Sequence, residues 1–257
     1  VPEATAVRVE VHDGLATVVL DRPRRKNALD LADWDALCAA FDAIAEDPLV
    51  RVVVVRGAGG DFSAGADLSG TWFDDVGAEA AMARIARAAE AIVRLPKPTI
   101  ARVDGVAYGA GLNLALACDL TVVAEDARLC QVFVRRGLVV DFGGSWLVSR
   151  LVGLAQAKRL TLLAPELSGR EAAEMGLVAK SVPTDALDGV VERWVAELRV
   201  ASRRAVALTK RLVLEGSTST FEAALEAEGR AQAEALAGPD AHEALAAFLE
   251  HRPPRFA

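Results

Sequence analysis

Lys97 to Asp119 reads KPTIARVDGVAYGAGLNLALACD, and the order of residue types within it decides the architecture. Thr99–Val103 is a short β-rich run set between Pro98 and Asp104-Gly105, which predicts a strand. Gly105 begins a small-residue turn, and the apolar stretch Gly109–Ala117 predicts a helix. Leu120–Ala124 then returns to strand composition. Strand, glycine turn, helix and strand in that order imply an α/β fold with mainly parallel pairing and right-handed crossovers.

Upstream, Val7–Val11 and Leu15–Leu20 are β-rich runs joined by Asp13-Gly14, a strong hairpin signal. Leu31–Ala45 has helical spacing, with Asp30 placed to cap its start and Pro48 beyond its end. Val52–Arg56 reads as a buried strand closed by Gly57, Gly59 and Gly60. Residues 71–95 are mostly helical in pattern. Downstream of Gly153 the chain turns almost wholly helical, over Ala155–Leu163, Gly169–Met175, Ala186–Glu197, Arg203–Leu214, Thr220–Ala237 and Ala241–Glu250, with a short strand near Val178–Val182. The expected division is a core over 1–195 and a helical extension over 196–257 that packs on the core or on another subunit.

At 257 residues and 53% hydrophobic, the chain is long enough for one large core. A net charge of −7 argues against broad binding to nucleic acid, though not against an anion held by a few local cations. The apolar runs are too short to span a bilayer, and VPEATAVRVE lacks a basic-then-apolar signal pattern, so a cytoplasmic location is expected. Cys38, Cys118 and Cys130 are odd in number and widely spaced. They suggest buried thiols rather than a disulfide framework or zinc knuckle.

Three segments carry chemistry. GGDFSAGADLSG, Gly59 to Gly70, follows a strand and has little side-chain bulk, so it is either a plain surface loop or a backbone that a ligand can approach closely. In Gly105–Asn113 a glycine-rich turn opens an apolar helix, where free N–H groups favour negative charge. The amide of Ala110 suits that task, and close helix–strand packing is the alternative. Asp141, in RRGLVVDFGGSW, lies among apolar residues. It is either a partly buried acid/base or the N-cap of a helix beginning near Ser145.

Taken together, FSAGADL, KPTIARVDGVAYGAGLNLALACD and GLVVDFGGSWLVSRLVG resemble the enoyl-CoA hydratase/isomerase (crotonase) superfamily. The likeness extends from RPRRKNAL at Arg22 to the tail FLEHRPPRF. It implies a crotonase-like spiral of ββα repeats with a C-terminal helical trimerisation region, and trimers or dimers of trimers. It also implies a CoA thioester as substrate, with CoA carried in by that substrate and no separate cofactor or metal. The amides holding the thioester carbonyl then fall at Ala66 and Ala110. Arg24, Lys26, Ala28, Ala64, Ala66, Asp67 and Leu68 become the expected CoA contacts. Arg24, Arg25 and Lys26 are equally readable as a solvated basic loop, and Lys210 as a surface lysine rather than a contact to a neighbour's CoA. The expected acyl pocket draws on Trp72, Tyr108, Asn113, Phe133, Val139 and Trp146, with Phe73 and Met82 as further walls. The segment Thr71–Ala83 is a candidate to close over the substrate.

The same resemblance places a hydratase's two glutamates at Asn113 and Phe133, where this chain has no carboxylate. An amide cannot exchange a proton near neutral pH. Asp141 stands where some isomerases of the superfamily carry an aspartate, and CQVFVRRGLVVDFGGSW looks most like ring-epoxide isomerases acting on phenylacetyl-CoA derivatives. Isomerisation of a 3-enoyl or ring-epoxide thioester, with Asp141 as the single base, is therefore the expectation. A weak hydratase or a binding-only homologue is the alternative. A Ser-His-Asp hydrolase is disfavoured, because His12, His242 and His251 lie in the terminal regions.

Overall fold

The computed structural model describes residues 5–69 and 76–256. Its main sheet has six strands in the order β1-β2-β3-β4-β6-β9, formed by β1 Val7–His12, β2 Leu15–Leu20, β3 Val52–Gly57, β4 Thr99–Val103, β6 Leu120–Ala124 and β9 Lys180–Val182. β1 and β2 pair antiparallel across the Asp13-Gly14 turn, and every later neighbour pairs parallel. A second sheet, β5-β7-β8, joins Val106–Tyr108, Arg128–Cys130 and Leu167–Ser168. The sequence pattern gives no sign of these three strands; residues 106–108 lie in what reads as a turn.

Helix α1, Leu31–Glu46, starts at Asp30 as expected, in a full capping box with Asp33. Its C-terminal carbonyls at Ile44 and Asp47 accept from the Lys97 ammonium. Helices α2 (Ala78–Val93), α3 (Ala110–Ala117) and α4 (Gly144–Leu163) follow, the last interrupted at Gly153. The two expectations of a helix near Ser145 and a helix over Ala155–Leu163 are thus parts of one bent element. Then come α5 (Gly169–Glu174), α6 (Leu187–Arg199), α7 (Arg203–Gly216), α8 (Phe221–Leu236) and α9 (Pro239–Leu249). Helix α6 crosses the expected boundary at residue 195, burying Leu187, Val190, Val191 and Val195.

Trp34, Phe41, Phe62, Leu112 and Leu114 are among the fully buried side chains that fill the space between the sheets and helices. α3 is buried along its whole length, as an apolar helix without a polar face must be. This matters for function because α3 carries Ala110 and Asn113 on a fully buried element. No helix among the described residues is long and apolar enough to cross a membrane.

Candidate active site

The loop after β3 is laced on both sides. Ser63 N–H donates to Val106 O at 2.9 Å and Tyr108 N–H to Ser63 O at 3.0 Å, tying it to β5. On the other side Ala64 N–H donates to Lys26 O, Leu29 N–H to Gly65 O and Asp67 N–H to Leu29 O, each at 2.8 Å. Gly65 has φ +88°, and a Cβ there would stand 2.7 Å from Tyr108 O and 3.2 Å from Ala110 N. Only glycine lets the two segments approach this closely. Ala110 opens α3, where first-turn amides have no partner inside the helix. Among the described residues, neither the Ala66 nor the Ala110 N–H finds an acceptor in the chain. Two unspent donors thus sit on neighbouring backbone segments, one of them at a helix N-terminus where negative charge is favoured.

Asp141 does not cap α4 with its side chain. Gly143 holds the N-cap position, and no side chain bonds there. The Asp141 backbone carbonyl instead accepts from Gly144 N–H and from Asn113 Nδ2, both at 2.9 Å. Phe142, in the left-handed region at φ 49°, is buried against Trp34 with ring centroids 5.1 Å apart. These contacts fix the turn and leave the carboxyl out of them. Asp141 Oδ1 is buried with no hydrogen-bond partner. Burial pushes the carboxyl up to about 6, opposed only by a hydrogen bond from its own amide.

Asn113, one helical turn beyond Ala110, is 0% exposed. Its Nδ2 is used by Asp141 and its Oδ1 accepts from Gln131 Nε2 at 2.7 Å. Phe133 is buried in the 3₁₀ turn Val132–Arg136, its Cζ 3.5 Å from where a Cβ on Gly109 would stand. An apolar ring therefore closes the start of α3. The structure thus brings Ala66, Ala110, Asn113, Phe133 and Asp141 together from three remote segments.

Other expected contacts are distributed more widely. Arg24 is exposed and makes no ion pair among the described residues, whereas Lys26 pairs with Asp61 at 2.9 Å. Ala28 is buried, Ala64, Ala66 and Asp67 are half-buried, and Leu68 is exposed. The Tyr108 hydroxyl donates to Glu166, and burial together with that bond pushes it up to about 12. Val139 is 84% exposed. Trp146 stacks under the Arg150 guanidinium at 3.9 Å and lines a groove of about 560 Å³ with Leu95 and Leu208. Lys210 is held by Asp119 at 2.8 Å and by Lys97 O at 3.1 Å, so its ammonium is committed within the chain. Trp72 and Phe73 lie outside the described residues, as does part of the Thr71–Ala83 segment. Gln131 is the residue that sequence reasoning missed. A single amide inside the apolar run Leu129–Val134 was the signal that could have found it.

Residues 10–257 match the Enoyl-CoA hydratase/isomerase family. A probable enoyl-CoA hydratase of Rhodobacter capsulatus is 36% identical over 97% of both chains. The 1,2-epoxyphenylacetyl-CoA isomerase of Escherichia coli is 32% identical over 96% of both. Among solved structures, an enoyl-CoA hydratase from Bacillus anthracis superposes with a TM-score of 0.93 at 31% identity, covering 98% of this chain and 99% of that one.

Proposed function

The chain belongs to the enoyl-CoA hydratase/isomerase family, and from that premise we propose that it is an acyl-CoA isomerase working through an enolate. A 3-enoyl-CoA thioester places its carbonyl oxygen at the Ala66 and Ala110 amides. The Asp141 carboxylate removes a proton from C2, and the charge moves onto the thioester oxygen. The same carboxyl returns the proton at C4, giving the conjugated 2-enoyl thioester. Bonds and protons balance with one acid/base and no co-reactant.

The observation that carries this proposal is the Asp141 carboxyl itself, its Oδ1 buried and unpaired and its pKa raised by burial to about 6. A base whose pKa lies near the working pH is the efficient kind, contributing about 10²–10⁴-fold in rate. Each preorganised oxyanion donor contributes about 3–4 kcal/mol. Hydration additionally needs a base for water, and both positions where the family likeness expects one hold groups that cannot serve, Asn113 and Phe133. The names of the relatives divide between hydratase and isomerase; these two positions favour the second. The Escherichia coli relative supports a related reading, in which the substrate is a ring-epoxide CoA thioester.

CoA handling falls to the backbone at Ala28, Ala64, Ala66 and Leu68, with Arg24 as the available cation for a phosphate. Exposed Phe221, Phe248 and Leu249 on the C-terminal helices support assembly into a trimer or hexamer. The test is turnover of 3-enoyl-CoA and 2-enoyl-CoA side by side by the purified protein. Conjugation of the first should outpace hydration of the second by at least tenfold. Faster hydration would overturn the proposal.

A further inference from the structure

The buried polar atoms beside Asp141 form a directed chain that begins at a group unable to turn over. The Asp141 backbone carbonyl accepts from Asn113 Nδ2 at 2.9 Å, which forces Asn113 Oδ1 to the other side. There Oδ1 accepts from Gln131 Nε2 at 2.7 Å. Reversing either amide would set oxygen against oxygen at those distances, so both orientations are dictated by the backbone carbonyl. Asn113 is 0% and Gln131 2% exposed, so water does not dilute these bonds. Two acceptors remain over, Gln131 Oε1 and Asp141 Oδ1, each buried without a partner. The side-chain hydrogen bonds of this chain therefore run to the backbone of the turn, and none of them reaches Asp141 Oδ1.

The three residues come from different places in the fold: Gln131 from between β7 and the 3₁₀ turn Val132–Arg136, Asn113 from α3, and Asp141 from the turn before α4. Gly144 completes the arrangement, since a Cβ there would fall 2.2 Å from Asn113 Nδ2. The turn thus lies directly on the Asn113 amide.

We propose that Gln131 is a positioning residue which, acting through Asn113, holds the 141–144 turn so that Asp141 Oδ1 stays buried and without a partner. Its consequence for rate rests on the isomerase reading; its consequence for the Asp141 carboxyl does not. Gln131→Met removes the donor at similar volume and also removes its own orphaned acceptor, so that Asn113 Oδ1 becomes unpaired in its place beside Asp141 Oδ1.

Two measurements test it. In folded Q131M, the carboxyl titration of Asp141, followed by ¹³C NMR and assigned with D141N, should fall by about one unit or more toward the ordinary aspartate range as the turn loosens and water enters. With 3-enoyl-CoA, kcat should drop at least tenfold while KM moves less than about twofold. A second variant, Q131E, can donate to Asn113 only while protonated, so its kcat relative to wild type should rise as the pH is lowered; a flat ratio counts against the proposal. An unchanged Asp141 midpoint in folded Q131M would overturn it. If the midpoint falls but the wild-type protein does not convert 3-enoyl-CoA, Gln131 keeps its role and the isomerase reading is lost instead.

Discussion

Replacing Asp141 by Asn should make the protein more stable and nearly inactive at once. Burial moves the carboxyl from an ordinary 3.8 to about 6. At about 1.36 kcal/mol for each pKa unit, keeping it ionised costs about 3 kcal/mol of folding free energy at neutral pH. The sign follows from proton counts. Between pH 3.8 and about 6 the folded state holds a proton that the unfolded state has lost, so stability falls as pH rises through that window and is level above it. Asn cannot ionise, and it keeps a buried polar group in place, so the gain should be about 1–3 kcal/mol at pH 7 and smaller by about 1 kcal/mol at pH 5. Urea unfolding of both proteins at several pH values measures this directly. The isomerisation rate of the variant should fall by about 10²–10⁴-fold. A variant that is less stable than wild type, or whose advantage is the same at pH 5 and pH 8, would refute the account of a desolvated carboxylate. Retention of activity within a few-fold would refute its role as the base.

Four further outcomes follow from the same geometry. Gly65→Ala forces a Cβ to 2.7 Å from Tyr108 O at φ +88°; it should lower kcat/KM by at least about 10²-fold, and unchanged kinetics would separate the loop from catalysis. Lys210→Met breaks a part-exposed pair with Asp119 and should cost about 1 kcal/mol in urea unfolding, leaving the KM for a CoA thioester unaltered; a raised KM at unchanged stability would make Lys210 a ligand contact. Phe142→Ala removes the packing on Trp34 and should cost about 3 kcal/mol or more while lowering kcat, to be read by thermal melts and turnover. The wild-type kcat/KM should lose its activity below about pH 6, where Asp141 takes up its proton; a rate that stays level down to pH 5 would point to a different base.

The parts of the fold that the sequence made legible are those with length and punctuation. Asp30 and Pro48 bracket α1, Asp13-Gly14 announces the β1–β2 hairpin, and the apolar run to Ala117 announces α3. The second sheet was not legible because its strands span two or three residues each, too short for any periodicity to register. In the candidate site, the glycine-rich turn pointed to Ala110 and the isolated carboxylate to Asp141, whereas Ala66 came only from the family resemblance. What the pattern around Asp141 cannot reveal is whether its side chain has a partner. An Asp just before a helix has a ready use as an N-cap, but here Gly143 takes that position and the backbone passes through Phe142 at φ 49° between them. Gln131 was passed over because an amide in an apolar run announces a hydrogen bond but not to what.

The bond from Asn113 to the Asp141 carbonyl also bears on how this chain differs from a two-glutamate hydratase. An ionised glutamate at 113 could not donate to that carbonyl, and its oxygens would oppose it at a buried position. The turn that carries Asp141 depends on a donor at that position, and Gly144 lies against it too closely for a detour. The amide at 113 and the carboxylate at 141 therefore form a matched pair rather than two separate departures. On this reasoning Asn113→Glu alone does not recover a hydratase. It sets a carboxylate against a backbone carbonyl, releases the 141–144 turn, and shifts the carboxyl proposed as the base. Hydration would become accessible only if the turn were rebuilt together with Asn113 and Phe133. A series of single and combined variants at 113, 133 and 141, assayed on both 2-enoyl-CoA and 3-enoyl-CoA, should show strong coupling between 113 and 141, and additive effects there would contradict it.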